Sequence, residues 1–339
     1  MGHSNFSGCP CDSPGIVVSA TSSMDAPEPA RPYLGIALKV ASTIAFTGMA
    51  TLVKLASERY PIGELTFFRS FFAIIPVFIW VGWRGELPTV LRTPHIGQHL
   101  IRSIAGAGAM FCGFTALSLL PIADATAIGY AAPLLTVVFA VLLLGEKVHV
   151  YRWSAVVVGL IGVLIILADY VVPGSSERSE HNVVGAAFAI GGAVLGALAA
   201  TQVRSLVRYE SAATIVVYFS LFTALFSLAT LPFGWSLPTG ADLAMMVAAG
   251  IFGGLGQVFL TQSYRFGDAS LIAPFDYTSM LWSLVVSVLI FATWPSGMVL
   301  LGAGIVVLAG LFVIWREHRL GIERARSKRA QSPTNTPST

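Results

Sequence analysis

Apolar residues run along this chain in blocks of about twenty, separated by short polar stretches. A membrane-spanning helix needs about 20 mostly apolar residues, because the hydrocarbon layer is ~30 Å thick and a helix rises ~1.5 Å per residue. Ten blocks meet that length, near residues 33–56, 62–82, 98–119, 121–144, 152–171, 183–203, 211–232, 241–263, 268–292 and 297–315. A soluble helical protein shows an apolar stripe with a charged face opposite it. Stretches such as 155–167 and 300–314 are instead apolar all round. The pattern predicts an all-α polytopic membrane protein with ten transmembrane helices.

Composition narrows this further. Of 339 residues, 55% are hydrophobic and 11% charged, against about 25% charged in an ordinary soluble domain. A chain this long has ample polar surface to cover a core, so the missing charge is not a size effect. Disordered, collagen-like and disulfide-scaffold classes fall away, and the three cysteines, Cys9, Cys11 and Cys112, cannot make a disulfide framework. The formal net charge of +3, carried mostly in loops, argues against a nucleic-acid partner.

Residues 1–32 lack the apolar core of a signal peptide and read as a disordered cytoplasmic tail. Within them, Cys9-Pro10-Cys11 has neither further metal ligands nor the preceding apolar stretch of a lipidation site. Residues 316–339 form a basic tail, then a Ser/Thr/Pro-rich one, expected to stay disordered beside anionic headgroups. With the N-terminus cytoplasmic, fifteen of the 20 Lys and Arg fall on the cytoplasmic side, Arg84, Arg92 and Arg102 among them. Lys39 and Arg69 fall inside segments. Both termini are therefore expected in the cytoplasm. Trp80, Trp83, Trp153, Trp235, Trp294 and Trp315 lie near segment ends, as an aromatic belt requires, and Trp282 lies deep.

The chain repeats itself. Residues 116–135 and 260–279 each place Asp-Ala-(Thr/Ser) at a helix start, with a proline soon after. Asp124 matches Asp268, and further on Gly162 matches Gly310. This divides the chain into a five-helix repeat over 33–171, an extracytoplasmic linker over 172–182 and a second repeat over 183–315. An odd number of crossings per half forces the second half to insert upside down. Inverted repeats of this kind recur in secondary transporters, with the substrate site near the midplane between halves.

The motifs Glu64-Leu-Thr-Phe-Phe-Arg69, Ala123-Asp-Ala-Thr-Ala-Ile-Gly-Tyr-Ala-Ala-Pro133, Gly145-Glu146 and Gly267-Asp-Ala-Ser270 resemble the drug/metabolite transporter superfamily, EamA type. The resemblance covers essentially all of 33–315. It implies a ten-helix inner-membrane carrier of a small organic metabolite with both termini cytoplasmic. One departure is Phe291-Ala-Thr-Trp294, which stands where many relatives repeat the Gly-Glu ending. Ala273-Pro-Phe-Asp-Tyr-Thr-Ser-Met-Leu-Trp282 and Val203-Arg-Ser-Leu-Val-Arg208 are similar to the branch containing bacterial riboflavin and S-adenosylmethionine uptake proteins.

Ionisable groups inside a membrane are costly, so each is a functional candidate. Lys39, about two turns into segment one, either snorkels to the interface or faces a cavity. Arg69 follows Glu64 by five residues, a poor spacing for an ion pair on one helix; the resemblance implies a place for it in the central cavity or its gate. Asp276 falls roughly 12 Å into segment nine, measured from Asp268. Pro274 before it frees backbone carbonyls, while Phe275, Tyr277 and Trp282 flank it with stacking faces. Together these suit a flat heterocycle or an organic cation; a carboxylate tied to a neighbouring helix is the alternative. Tyr130 with Pro133 corresponds by symmetry to Pro274 with Tyr277. Asp124 and Asp268, at helix beginnings, read as caps. The glycine-rich stretches 106–113 and 250–256 suit close helix packing.

No catalytic constellation, metal-ligand spacing or nucleotide-binding motif is present in the sequence, so neither enzyme activity nor a cofactor is expected. The leading expectation is a secondary carrier working by alternating access on riboflavin or a similar vitamin, with S-adenosylmethionine or amino acids next. A membrane enzyme or sensor without transport is the competing class. The oligomeric state, a homodimer included, stays open.

Overall fold

Inside a bilayer each backbone N–H and C=O must find its partner within the protein, and a helix supplies those partners locally. The computed structural model describes residues 32–85, 87–145, 148–171, 179–206, 209–266 and 272–331, and holds no strand among them. Its helices are α1 (Pro32–Ala56), α2 (Ile62–Trp83), a short α3 (Leu87–Val90), α4 (Ile96–Leu119), α5 (Ile122–Gly129), α6 (Ala131–Leu144), α7 (Val150–Val171), α8 (Glu180–Leu206), α9 (Ala212–Leu228), α10 (Gly240–Phe266), α11 (Thr278–Leu289) and α12 (Gly297–Gln331). Short 3-10 turns cover Leu231–Phe233 and Ala273–Tyr277.

Eight spans are long and apolar enough to cross a membrane among the described residues, and Ala213–Leu228 and Phe275–Leu289 are two shorter apolar helices. The chain is thus an all-α polytopic membrane protein. Segment four is two helices, α5 and α6, which meet at Tyr130. Segment nine begins with a 3-10 turn before α11 continues it. Both breaks fall in the fourth segment of their half.

The last helix corrects the expected tail. Residues 316–331 are helical and continue α12, where the sequence suggests an irregular basic tail from 316. Glu, Arg, Lys, Ala and Leu dominate there, all good helix formers. They extend a helix already nucleated by its apolar part, so no new initiation step is required. Residues 1–31 and 332–339 lie outside the described residues, as do Glu146, Lys147 and the stretches 172–178 and 267–271.

The strongest packing joins the halves. α4 lies along α8, α1 along α10 and α7 along α12, with α9 against α2 and α11 against α5. Exchanging every segment with the one five places on leaves this set unchanged: segments one and eight become six and three. A contact set with that property is the mark of a pseudo-two-fold relation between the five-segment halves. At the α7–α12 crossing the backbones nearly touch: a Cβ on Gly302 would lie 2.4 Å from the Gly162 carbonyl oxygen, and one on Gly162 2.8 Å from that of Gly302. Lipid offers no hydrophobic drive between helices, and small residues permit such close approach instead. A buried cluster around Leu120, Ile128, Ile166, Tyr170 and Val299 ties α4, α5, α7 and α12 together.

The two halves close their fourth segments differently. α6 ends on Gly145 in the left-handed conformation, φ 65°, which satisfies its last carbonyls in the usual glycine fashion. α11 has no glycine there: Ala292 takes φ 50°. The Thr293 N–H then donates to the Ser287 carbonyl at 2.9 Å, and the two hydroxyls meet at 3.0 Å.

Candidate substrate site

The breaks in segments four and nine face each other. Tyr130, where α5 gives way to α6, lies with its ring centroid 5.3 Å from that of Tyr277, where the 3-10 turn gives way to α11. The Tyr130 hydroxyl is 2.6 Å from Ser279 Oγ, and Thr126 Oγ1 is 2.9 Å from Ser283 Oγ. The tyrosines of the two symmetry-related Tyr/Pro pairs therefore meet in space.

Around them lie the charges. Lys39, 1% exposed, directs its ammonium 2.6 Å from Asp276 Oδ1. One turn on from Lys39 and two residues on from Asp276, Thr43 Oγ1 and Thr278 Oγ1 meet at 2.9 Å. Lys39 thus does not snorkel: a carboxylate on the other half of the chain holds it inside. That carboxylate keeps 51% of its side-chain surface open, so the pair is enclosed on one side and accessible on the other. Trp282 follows Thr278 by one turn of α11 and encloses its indole N–H without an acceptor. Phe275 is half-buried, its carbonyl accepting the Thr278 hydroxyl at 2.7 Å.

Two cavities flank this seam. One of about 270 Å³ lies between α1, α4, α5, α6 and α8 and is lined by small or apolar residues, including Ala50, Met110, Gly113, Thr126 and Gly129. The other, about 220 Å³, brings Pro133 and Tyr277 together with Arg152 and Gly310. Gly310 is what makes room for Tyr277, since a Cβ there would fall 1.5 Å from the tyrosine hydroxyl oxygen. Pro274 stands in the first turn of the 3-10 segment, where its missing N–H costs no hydrogen bond.

Other residues singled out from the sequence sit elsewhere. Arg69, 4% exposed, does not pair with Glu64; its Nε–H points at Met49 Sδ, 3.3 Å away. Glu64, also buried, accepts the Ser236 backbone N–H at 3.2 Å. Asp124 is not the helix cap it was expected to be. Pro121 holds the N-cap position, and the carboxylate, in the first turn of α5, accepts the Tyr170 hydroxyl from α7. Asp268 lies outside the described residues. Lys54 is engaged with the end of α4, its ammonium donating to the carbonyls of Leu117 and Leu120 at 2.7 and 2.6 Å.

Sequence reasoning missed several participants. Arg102, counted there on the cytoplasmic side, stands inside α4 with its guanidinium carbon 3.8 Å from the Phe219 ring centroid. His99, on the same helix, is fully enclosed and stacks at 4.7 Å on Tyr218. Their position in the first two turns of an apolar segment was the available signal. Thr43, Ser279 and Ser283 carry no signal of their own in a helix of small residues.

The profile of the EamA-like transporter family matches residues 33–168 and again 183–315, one match per half. The chain belongs to the EamA-like transporter family. It is 28% identical over 294 residues to an S-adenosylmethionine uptake transporter of Rickettsia felis, covering 85% of this chain and 95% of that one. Identity is also 28% to a pseudopaline exporter of Pseudomonas aeruginosa, over 81% of this chain and 94% of the relative. A riboflavin transporter of Rhizobium johnstonii matches at 28% over 86% of this chain and 94% of its own. A protein of known crystal structure superposes on 84% of this chain and 98% of its own with a TM-score of 0.61 at 24% identity, a likeness of fold alone. EamA-type membership points to transport of a small molecule by a multi-pass membrane protein rather than to catalysis.

Proposed function

We propose that this EamA-type protein is a secondary carrier, independent of ATP, that moves a small organic metabolite by alternating access between its two halves. The observation that carries the proposal is the Lys39–Asp276 pair. It links α1 of the first half to segment nine of the second, beside a broken helix, with one partner enclosed and the other open. A charged substrate competing for either partner loosens that link, which is how binding and a change of access become coupled.

For the substrate, the tyrosine pair and Trp282 supply faces for a flat ring, and Lys39 and Asp276 supply one charge of each sign. A zwitterion bearing a heteroaromatic ring, of which S-adenosylmethionine is an example, uses both features. This moves the preference away from the vitamin ranked first on the sequence. Riboflavin, a flat ring without a fixed charge, is the second reading, favoured by the tyrosine pair alone. The lysine and arginine bias supports both termini in the cytoplasm of a cell with the carrier in its inner membrane. Uptake of labelled S-adenosylmethionine and riboflavin into proteoliposomes, with Asp276→Asn beside wild type, is the test. Equal rates in protein-free vesicles would remove the carrier proposal.

A further inference from the structure

α7 and α12 press together at Gly162 and Gly302, where neither helix has room for a side chain. Toward the start of α7 and the later turns of α12 a groove of about 320 Å³ lies between them. Its lining runs from Val158 back to Ser154 on α7 and from Ile305 on to Phe312 on α12. At ~1.5 Å per residue the groove therefore ends roughly 12 Å from the crossing on α7 and roughly 15 Å from it on α12. Ala155 and Ala309, both buried, make its floor; Val158, Leu308 and Phe312, all exposed, make its rim. None of the lining residues carries a charge. Both helices span the membrane, so this rim meets lipid tails rather than water. An acyl chain laid between the helices touches protein on both sides, and dispersion contacts accumulate accordingly.

Charge begins where the groove ends. The Phe312 ring lies 6.3 Å from the Trp315 ring, and the Arg319 guanidinium carbon lies 5.0 Å from the Trp315 ring centroid. Spacings of three and four place these three residues along one face of α12, continuous with the groove wall. Trp315 and Arg319 are both exposed, and on α7 the exposed Trp153 precedes Ser154 at the same end. Tryptophan and arginine at the end of a spanning helix belong at headgroup level. From there α12 runs on as a basic helix, with Arg316, Arg319, Arg324, Arg326, Lys328 and Arg329 against Glu317 and Glu323. Such a cluster beside a membrane attracts anionic lipid.

We propose that the α7–α12 groove binds one anionic phospholipid, with an acyl chain over Ala155 and Ala309 and the headgroup phosphate on Arg319 beside Trp315. A guanidinium stacked on an aromatic ring still presents its N–H groups in the plane, and that fork matches two phosphate oxygens. The basic helix beyond supplies the field that selects an anionic headgroup over a zwitterionic one. The site stands apart from the Lys39–Asp276 pair and from the choice of metabolite. It is nevertheless close to the substrate seam: Ala155 also lines the cavity that holds Tyr277, and Ala309 precedes Gly310, which makes room for the tyrosine.

The test is native mass spectrometry of the full chain in detergent, titrated with phosphatidylglycerol or with phosphatidylethanolamine of the same acyl chains. The expected result is one phosphatidylglycerol retained per chain, at a concentration at least ten-fold below that needed for phosphatidylethanolamine. Glycerol phosphate, the headgroup without its chains, fails to compete. Arg319→Gln weakens phosphatidylglycerol at least ten-fold and leaves phosphatidylethanolamine unchanged, while Arg319→Lys keeps part of the preference. Ser154→Phe fills the groove from an exposed position and weakens both lipids. Melting temperatures accompany each variant, and phosphatidylglycerol raises that of wild type but not that of Arg319→Gln. Should Ser154→Phe melt early without lipid, Leu308→Trp on the opposite rim takes its place. Equal retention of the two lipids, competition by glycerol phosphate, or unchanged binding in either the arginine or the groove variant overturns the proposal. A lipid-free dimer that Ser154→Phe or Leu308→Trp breaks also overturns it, and gives this face to a second copy of the chain.

Discussion

Lys39 and Asp276 lie 2.6 Å apart across the junction of the two halves, the lysine only 1% exposed and the aspartate side chain half open. Fully buried pairs cost about 3–5 kcal/mol to break by removing one partner, because the other charge is stranded. Here the two partners are not equivalent. Removing the carboxylate strands an enclosed ammonium, whereas removing the ammonium leaves a carboxylate that water can reach.

That asymmetry predicts how variants behave. Lys39→Met fills the same space without charge, so it reaches the membrane at normal abundance and melts within a few degrees of wild type. Asp276→Ala melts clearly earlier, and Asp276→Asn falls between, since its amide oxygen still accepts from the ammonium. Uptake at matched abundance drops at least ten-fold in all three. A melting order with Lys39→Met as the weakest variant contradicts the geometry.

Gly310→Ala is expected to expel Tyr277, because the new methyl would coincide with the tyrosine hydroxyl. Overpacking of this kind costs typically about 1–3 kcal/mol. Adding Tyr277→Ala relieves the clash and restores the melting temperature without restoring transport. Recovery of both by the double variant would show that Tyr277 takes no part in the site.

The α7–α12 crossing makes a different prediction, one about assembly alone. Gly302→Val puts its Cβ against the Gly162 carbonyl and the Ile166 side chain. Backbone cannot yield as a flexible side chain does, so the helices must separate. Membrane abundance and thermal stability of Gly302→Val should fall together. The specific uptake of whatever protein remains folded should change little, since neither helix contributes Lys39 or Asp276.

Ala292 holds a left-handed conformation that costs a non-glycine residue roughly 1–2 kcal/mol. Ala292→Gly removes that strain but gives the unfolded chain more freedom, offsetting about 0.4–1 kcal/mol. A small rise in melting temperature is the net expectation. A fall would mean that the Ala292 methyl contributes packing that outweighs the strain.

The ten segments, their order and the division into halves were legible in the apolar runs and in the match of Asp124 with Asp268. Each segment must satisfy its own backbone and has a length set by the bilayer, so its existence is local information. Lys39, Asp276, Tyr130 and Tyr277 stood out for a related reason, as polar or aromatic groups where lipid-facing residues are apolar. What each of them touches is not local. Lys39 and Asp276 are far apart in the chain, and only the packing of α1 against segment nine makes them partners. Asp124 looked like a cap because caps are read from helix starts; Tyr170, from another helix, decides its bond instead. Arg102 was counted on the cytoplasmic side for its nearness to a segment end. Phe219 of α9 covers its guanidinium instead, because the face of a helix that is covered depends on its neighbours and not on its own sequence.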